Sequence, residues 1–212
     1  MNEKEMAPGN LTAGENRSIY GDKRDALEQC LKSLKKQIDD IRNELTGKLG
    51  MDPVEHVLGR IKSEESMREK CRRKALPETP DSALHEIHDS IGIRIVCAFV
   101  DDIYLIRDAL LDIPGIELFE EKDYIRHAKP NGYRSLHMIL RVHQETGEYL
   151  FAELQLRTIS MDTWAALEHH MKYKKDIGGN SALIVSELKR CADELAATDA
   201  SMQTIRDMIN GL

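Results

Sequence analysis

Two acids far apart in the chain, Asp89 and Glu153, are the residues whose types could hold a divalent cation together. Magnesium takes hard oxygen ligands and commonly bridges them to nucleotide phosphates. A lone Asp ahead of a strand also serves as a turn or capping residue, so the assignment rests on the pairing. Lys62, Ser66, Lys70 and Arg73 offer countercharge and are spaced four, four and three apart. On a helix, at about 100° per residue, they fall within a sector of roughly 80°. Three cations and a hydroxyl on one stripe suit a triphosphate; the same stripe would also serve as a solvated basic face. Val54, Val57, Leu58 and Ile61 fall to the other side. Arg60 lies off the stripe, and a role for it depends on a bend, with Gly59 the place for one.

Two late segments alternate. From Tyr149 to Arg157, Leu150, Ala152, Leu154 and Leu156 share one face, and Phe151, Glu153, Gln155 and Arg157 the other. From Leu136 to Val142, His137, Ile139 and Arg141 oppose Leu136, Met138, Leu140 and Val142. One side of this hairpin is core and the other carries groups able to bind, titrate or ligate, although an antiparallel sheet also faces water on one side. Arg94 sits inside an apolar strand on the face of Gly92, and a charge there requires a partner. The segment KDYIRHAKPNGYRS (Lys122 to Ser135) packs four cations and two tyrosines around a turn. Tyr133, just after Gly132, is placed to stack on a base; a solvated basic loop with core-capping tyrosines is the other reading.

His85, His88 and Asp89 have the His-x-x-His-Asp spacing of a metal hydrolase. Such a centre needs further His and Asp ligands, and the preceding segments supply only His56. His169 and His170 are adjacent on a helix and point to different faces, which makes them poor co-ligands. No glycine-rich phosphate loop and no Gly-x-Ser-x-Gly elbow is present in the sequence.

The elements that must position these residues follow from periodicity. Met1 to about Asp22, with Pro8, Gly9 and Gly14, reads as a loose tail. Leu27, Leu31, Leu34, Ile38, Ile41 and Leu45 form a helical stripe that ends at Gly47 and Gly50. Asp52-Pro53 predicts the start of a second helix running to about Lys74. Pro77 and Pro80 mark a loop, and a short helix is expected over 83–90. Ile91 to Phe99 reads as a strand, and Asp101 to Leu111 as a helix ended by Pro114-Gly115. After the hairpin, a helix is expected from Ile159 to about Lys175. Gly178-Gly179 breaks the chain before a last helix with Ile184, Leu188, Cys191, Leu195, Met202, Ile205 and Ile209 at three-and-four spacing. The expected fold is α+β: a mixed, largely antiparallel sheet of about five strands flanked by long N- and C-terminal helices.

Composition narrows the classes. The 212 residues are 41% hydrophobic and 32% charged, a soluble globular balance rather than a disordered one. No apolar run approaches the ~20 residues of a membrane span, and the N-terminal stretch has no apolar signal core. Four scattered cysteines, Cys30, Cys71, Cys97 and Cys191, argue for reduced thiols in a cytosol. The net charge of −7 opposes nonspecific DNA binding, so a polyanion must meet a local basic site.

The segments GRIKS (Gly59 to Ser63), DSIGIR (Asp89 to Arg94), KDYI (Lys122 to Ile125), KPNGYRSLH (Lys129 to His137), ELQLRT (Glu153 to Thr158) and WAALEH (Trp164 to His169) occur in family order. Together they resemble the synthetase domain of the RelA/SpoT-type (p)ppGpp synthetases over about residues 25 to 175. The resemblance implies a nucleotidyltransferase-like fold, with a synthetase domain over 23–178 and a C-terminal helical extension over 179–212 that could oligomerise. It implies a stand-alone small alarmone synthetase without the hydrolase domain. The activity implied is Mg²⁺-dependent transfer of the β,γ-pyrophosphate of ATP to the 3′-hydroxyl of GTP or GDP. The products would be AMP and the pppGpp or ppGpp of the stringent response.

The family's roles carry over residue by residue. Arg60 and Arg94 resemble the arginines that sandwich adenine, and Lys62, Ser66, Lys70 and Arg73 the ATP phosphate clamp. Asp89 resembles the Mg²⁺ ligand, and Glu153 the carboxylate that contacts Mg²⁺ and activates the 3′-hydroxyl. Tyr133 resembles the guanine-stacking residue; Lys129, His137, Gln155 and Glu168 resemble acceptor contacts. Glu120-Glu121-Lys122 lacks the arginine of long bifunctional members, and Ala128 stands where relatives often have proline. Homotetramers are the family's habit. The first and last helical stripes suit contacts between subunits and equally suit burial on the chain's own sheet. Regulation by a product alarmone or by single-stranded RNA is left open. Two other classes compete: a catalytically idle nucleotide or RNA-binding module, and a helical scaffold, which would not need polar sheet faces.

Overall fold

The computed structural model describes residues 18–172 and 181–211. Among these residues five strands form one sheet in the order β1 (Val54–Ile61), β2 (Ile91–Cys97), β5 (Tyr149–Thr158), β4 (Leu136–His143), β3 (Ile116–Asp123). The β2–β5 pair is parallel and the other pairs are antiparallel. The fold is thus the expected α+β architecture with a mixed, largely antiparallel sheet. The helices are α1 (Arg24–Leu49), α2 (Glu64–Arg73), α3 (Val100–Leu111), α4 (Ile159–Lys172) and α5 (Ser181–Asn210), with one π-helical turn over Ser82–Glu86.

Alternation separates the two faces of the sheet. Ile91, Ile93 and Ile95 of β2, Leu136, Met138 and Leu140 of β4, and Leu154 and Leu156 of β5 are buried. They join Leu27, Leu34 and Ile38 of α1 and Ile103, Ile106 and Leu110 of α3 in a single core. Each such side chain contributes roughly 1.5–3 kcal/mol on burial. The stripe of α1 therefore covers the chain's own sheet. The opposite face carries Arg60, Gly92, Arg94, Glu153, Gln155 and His137, because residues paired across neighbouring strands point the same way.

Several expectations are corrected. The helix expected from Pro53 to Lys74 is a strand, a corner and a short helix. Val54, Val57, Leu58 and Ile61 fit helical spacing, but the same residues pair with β2, with a register shift after Val54. At Gly59 the strand runs close to α1: a Cβ would lie 2.8 Å from Leu31 Cδ1, which would have to move aside. Asp52 caps a turn rather than a helix: its Oδ1 accepts from Val54 N at 3.0 Å. Instead, α2 starts at Ser63, whose hydroxyl accepts from Ser66 N at 3.3 Å. The helix expected over 83–90 shrinks to the π-helical turn, leaving Asp89 in the link to β2. Strand β3 went unread in the sequence, since Ile116, Leu118 and their exposed acidic neighbours form an edge.

The loose tail expected to Asp22 does not reach that far. Ile19 and Tyr20 are fully buried, and Tyr20 Oη donates to the Lys62 carbonyl at 2.6 Å. The rest of that tail, the last residues of the helix expected to Lys175, and the Gly178-Gly179 break lie outside the described residues. Helix α5 docks on the domain: Trp164 Nε1 donates to the Leu188 carbonyl at 2.9 Å. Its far end leaves Met202, Ile205, Met208 and Ile209 exposed.

Candidate active site

The polar face of the sheet is the floor of a cleft of about 640 Å³. Arg60 from β1, Arg94 from β2, and Glu153, Gln155 and Arg157 from β5 line it, with Tyr133 and Glu168 at one side. Gly92 lies between Arg60 and Glu153 in register, and a Cβ there would meet nothing within 4 Å. The missing side chain keeps the floor open between the arginine and the acid.

At one end, charge is concentrated. Asp89 Oδ2 accepts from Lys62 Nζ at 2.8 Å and from Lys70 Nζ at 2.5 Å. Burial pushes the Asp89 carboxyl up, but the hydrogen bonds and charges of the two lysines outweigh it and hold the group below its usual range. Its Oδ1 is buried without a protein partner. Glu153 moves the other way: burial raises it first and the charge of Asp89 adds to that, against the opposing lysines and a bond from Gln155. An orphaned carboxylate oxygen beside a second acid whose charge it feels fits a hard divalent cation with its remaining positions open to water or phosphate. Among the described residues no three His, Cys, Asp or Glu cluster as metal ligands.

At the other end the groups are aromatic and hydrogen-bonded in series. Gly132 adopts φ +91°, and its Cβ would lie 2.6 Å from Ala192 Cβ, so α5 presses directly on the turn. Arg134 bonds the Gly132 carbonyl at 3.1 Å and Asp193 of α5 at 2.9 Å. The turn thus presents Tyr133, whose hydroxyl accepts from Arg157 at 2.8 Å and contacts His137 Nε2 at 2.7 Å. His137 is pushed down to about 4 by burial and by the charges of Arg157, Lys129 and Lys122. It is neutral near pH 7 and shares a hydrogen bond with the Tyr133 hydroxyl through Nε2. The 3.8 Å approach of Nδ1 to Glu153 is accordingly not an ion pair. Lys129 Nζ lies 4.4 Å from the Tyr124 ring and 4.7 Å from the Tyr133 ring, within cation–π range.

The structure brings together Asp89, Glu153, Lys62 and Lys70 at one end, and Tyr133, His137, Gln155 and Lys129 at the other. Glu168 accepts from Asn131 Nδ2 at 3.1 Å, tying α4 to the turn. The four-residue stripe is only half assembled. Lys62 is not on the helix, and it meets Lys70 because both converge on Asp89. Ser66 Oγ bonds Ser63 Oγ at 2.9 Å in the first turn of α2, and Arg73 is exposed at its last residue. His88 turns its Nε2 toward the His85 carbonyl at 3.0 Å and packs its ring on Phe151. His169 and His170 both border the cleft from α4. Sequence reasoning assigned no role to Arg157, which lines the cleft, or to Asp162 and Asn131, which stand behind it and bond Arg157 and Glu168. Arg157 carried a signal in its polar strand face; Asp162 and Asn131 carried none.

Fold and cleft together define a nucleotidyltransferase-like α+β domain with a polyphosphate-sized site between an acid pair and an aromatic turn. Residues 59–178 match the region found in RelA/SpoT proteins, and the chain belongs to that family. Over 164 residues it is 39% identical to the GTP pyrophosphokinase YwaC of Bacillus subtilis, covering 76% of this chain and 78% of that one. It is 34% identical over 184 residues to the GTP pyrophosphokinase YjbM of the same organism, covering 84% of each. The crystal structure of small alarmone synthetase 1 from Bacillus subtilis bound to its product pppGpp superposes with a TM-score of 0.74 at 30% identity. That match covers 87% of this chain and 94% of the other.

Proposed function

We propose that this chain is a GTP pyrophosphokinase. It would move the β,γ-pyrophosphoryl group of ATP to the 3′-hydroxyl of GTP or GDP, yielding AMP and pppGpp or ppGpp. The observation that carries this reading is the convergence of Lys62, Lys70, Asp89 and Glu153 one step from the ring of Tyr133. Transfer of this kind is mostly positioning and charge neutralisation.

In this reading Arg60 and Arg94 hold the adenine from the β1–β2 floor. Lys62 and Lys70 turn from Asp89 to the donor phosphates, with Ser66 and Arg73 along the same helix as outer contacts. Asp89 and Glu153 hold Mg²⁺, which supplies neutralisation of phosphate charge when bound. Glu153, whose carboxyl is raised above its usual range by burial and by Asp89 and so is the more basic of the two acids, takes the proton of the 3′-hydroxyl as that oxygen bonds to the β-phosphorus. The bond from that phosphorus to the α-phosphate oxygen breaks, and AMP leaves. Tyr133 stacks on guanine, while Lys129, His137, Gln155 and Glu168 surround the acceptor.

The exposed Met202, Ile205, Met208 and Ile209 of α5 support a homo-oligomer, in this family a tetramer, and size-exclusion chromatography with light scattering tests it. A cytosolic location fits the scattered cysteines. No helix among the described residues is long and apolar enough to cross a membrane. The deciding assay is incubation with labelled ATP, Mg²⁺ and GTP, GDP or GMP in turn. Formation of a 3′-pyrophosphorylated guanosine nucleotide with AMP supports the reading. No product from any acceptor overturns it in favour of a binding module.

A further inference from the structure

Asp162 has no role in the site as read above and does not line the cleft. It stands in the first turn of α4, and its Oδ1 lies 3.2 Å from Arg94 and accepts from Arg157 at 3.0 Å. Its side chain is 18% exposed, and that of Arg157 6%. Arg94 pairs with Gln155 across the β2–β5 register, and Arg157 follows two residues later on the same face. Two guanidinium groups so placed repel unless an anion lies between them. One carboxylate oxygen supplies it. Arg157 is further committed through Nη2 to the Tyr133 hydroxyl at 2.8 Å and to Gln155 Oε1 at 3.1 Å.

A continuous polar path therefore runs from the arginine of the donor side to the tyrosine and glutamine of the acceptor side, with Asp162 at its middle. We propose that Asp162 is a positioning residue that couples the two nucleotide sites. A donor base that fixes Arg94 also fixes Arg157 through the shared carboxylate, and with it the phenol that receives the acceptor. By linkage the acceptor strengthens donor binding by the same factor. This inference rests on the pyrophosphokinase reading.

The test compares the full wild-type chain with Asp162→Asn, which keeps side-chain shape and removes the charge. A non-hydrolysable ATP analogue is titrated by calorimetry with and without GDP, and turnover of labelled ATP with GTP is measured in parallel. In the wild type GDP raises analogue affinity by about 5- to 150-fold, the usual range for coupled sites. In Asp162→Asn that factor falls below about twofold and kcat drops, while circular dichroism shows the chain still folded at the assay temperature. Asp162→Glu keeps the charge but lengthens the reach, and its coupling lies between. Asp162→Ser carries the measurement if the asparagine variant does not fold, and a wild-type coupling factor in it then overturns the inference. Coupling unchanged in Asp162→Asn, or no effect of GDP on the wild type, overturns it while wild-type product formation leaves the activity standing. A wild type that makes no product overturns the activity, while the titration reads the coupling independently of it.

Discussion

At the carboxylate end of the cleft, two lysines share one oxygen of Asp89 while its other oxygen is buried and unpartnered; at the tyrosine end, each group hands its hydrogen bond to the next. The first arrangement is held short of satisfaction, and its two carboxyls are shifted in opposite directions, Asp89 down and Glu153 up. The second is settled before any ligand arrives, with His137 neutral and Tyr133 held by Arg157. The difference teaches where each kind of work sits. A place that must accept phosphate and a cation keeps its charges exchangeable, whereas a place that must receive a flat base keeps its geometry fixed.

The sharpest way to break this comparison is at the base. Glu153→Gln should lower turnover by about 10²–10⁴-fold, the usual worth of general base catalysis, with analogue affinity measured by calorimetry nearly unchanged. A variant that turns over like the wild type removes the distinction between the two acids. Next is the lysine pair. Lys70→Ala removes a charge-assisted contact and should weaken the ATP analogue by about 10- to 150-fold, against about 2- to 10-fold for Ser66→Ala. Equal losses would restore the four-residue stripe as one clamp and contradict the half-assembled one.

At the tyrosine end the effects are smaller. Tyr133→Ala should cost about 1–3 kcal/mol of stacking, read as a rise in the KM for GTP. Tyr133→Phe keeps the ring and should raise that KM only a few-fold, since it loses the bonds to Arg157 and His137 alone. The gentlest test is pH. The folded pKa of His137, about 4, lies below the unfolded value of about 6.5. The unfolded chain therefore binds more protons between those values. The stability due to a neutral His137 is full above pH 6.5 and is lost as pH falls toward 4, with a slope of about 1 kcal/mol per pH unit. Denaturant midpoints across that window should slope in the wild type and flatten in His137→Gln.

Much of the fold was legible locally. The α1 stripe, the β2, β4 and β5 strands and the turn at Pro114-Gly115 all read from period and punctuation. Val54–Ile61 did not, because its apolar spacing satisfies a helix and a strand alike, and only pairing with β2 chose. Strand β3 escaped because an edge with an exposed acidic run offers little alternation. In the site, Asp89, Glu153, Arg94 and Tyr133 were visible as chemistry in unusual places. That Lys62 and Lys70 would meet was foreseen for the wrong reason.

By itself the sequence determined which side chains of β2, β4 and β5 share a face, because alternation is a property of each strand alone. Its motifs also carried the family. Only the tertiary structure decided that β2 and β5 lie side by side and parallel, which sets Gly92 opposite Glu153 and brings Arg94 and Arg157 onto one carboxylate of α4. Such meetings join residues some sixty positions apart. They are fixed by burial of the whole sheet against α1 and α3, and no local spacing encodes them.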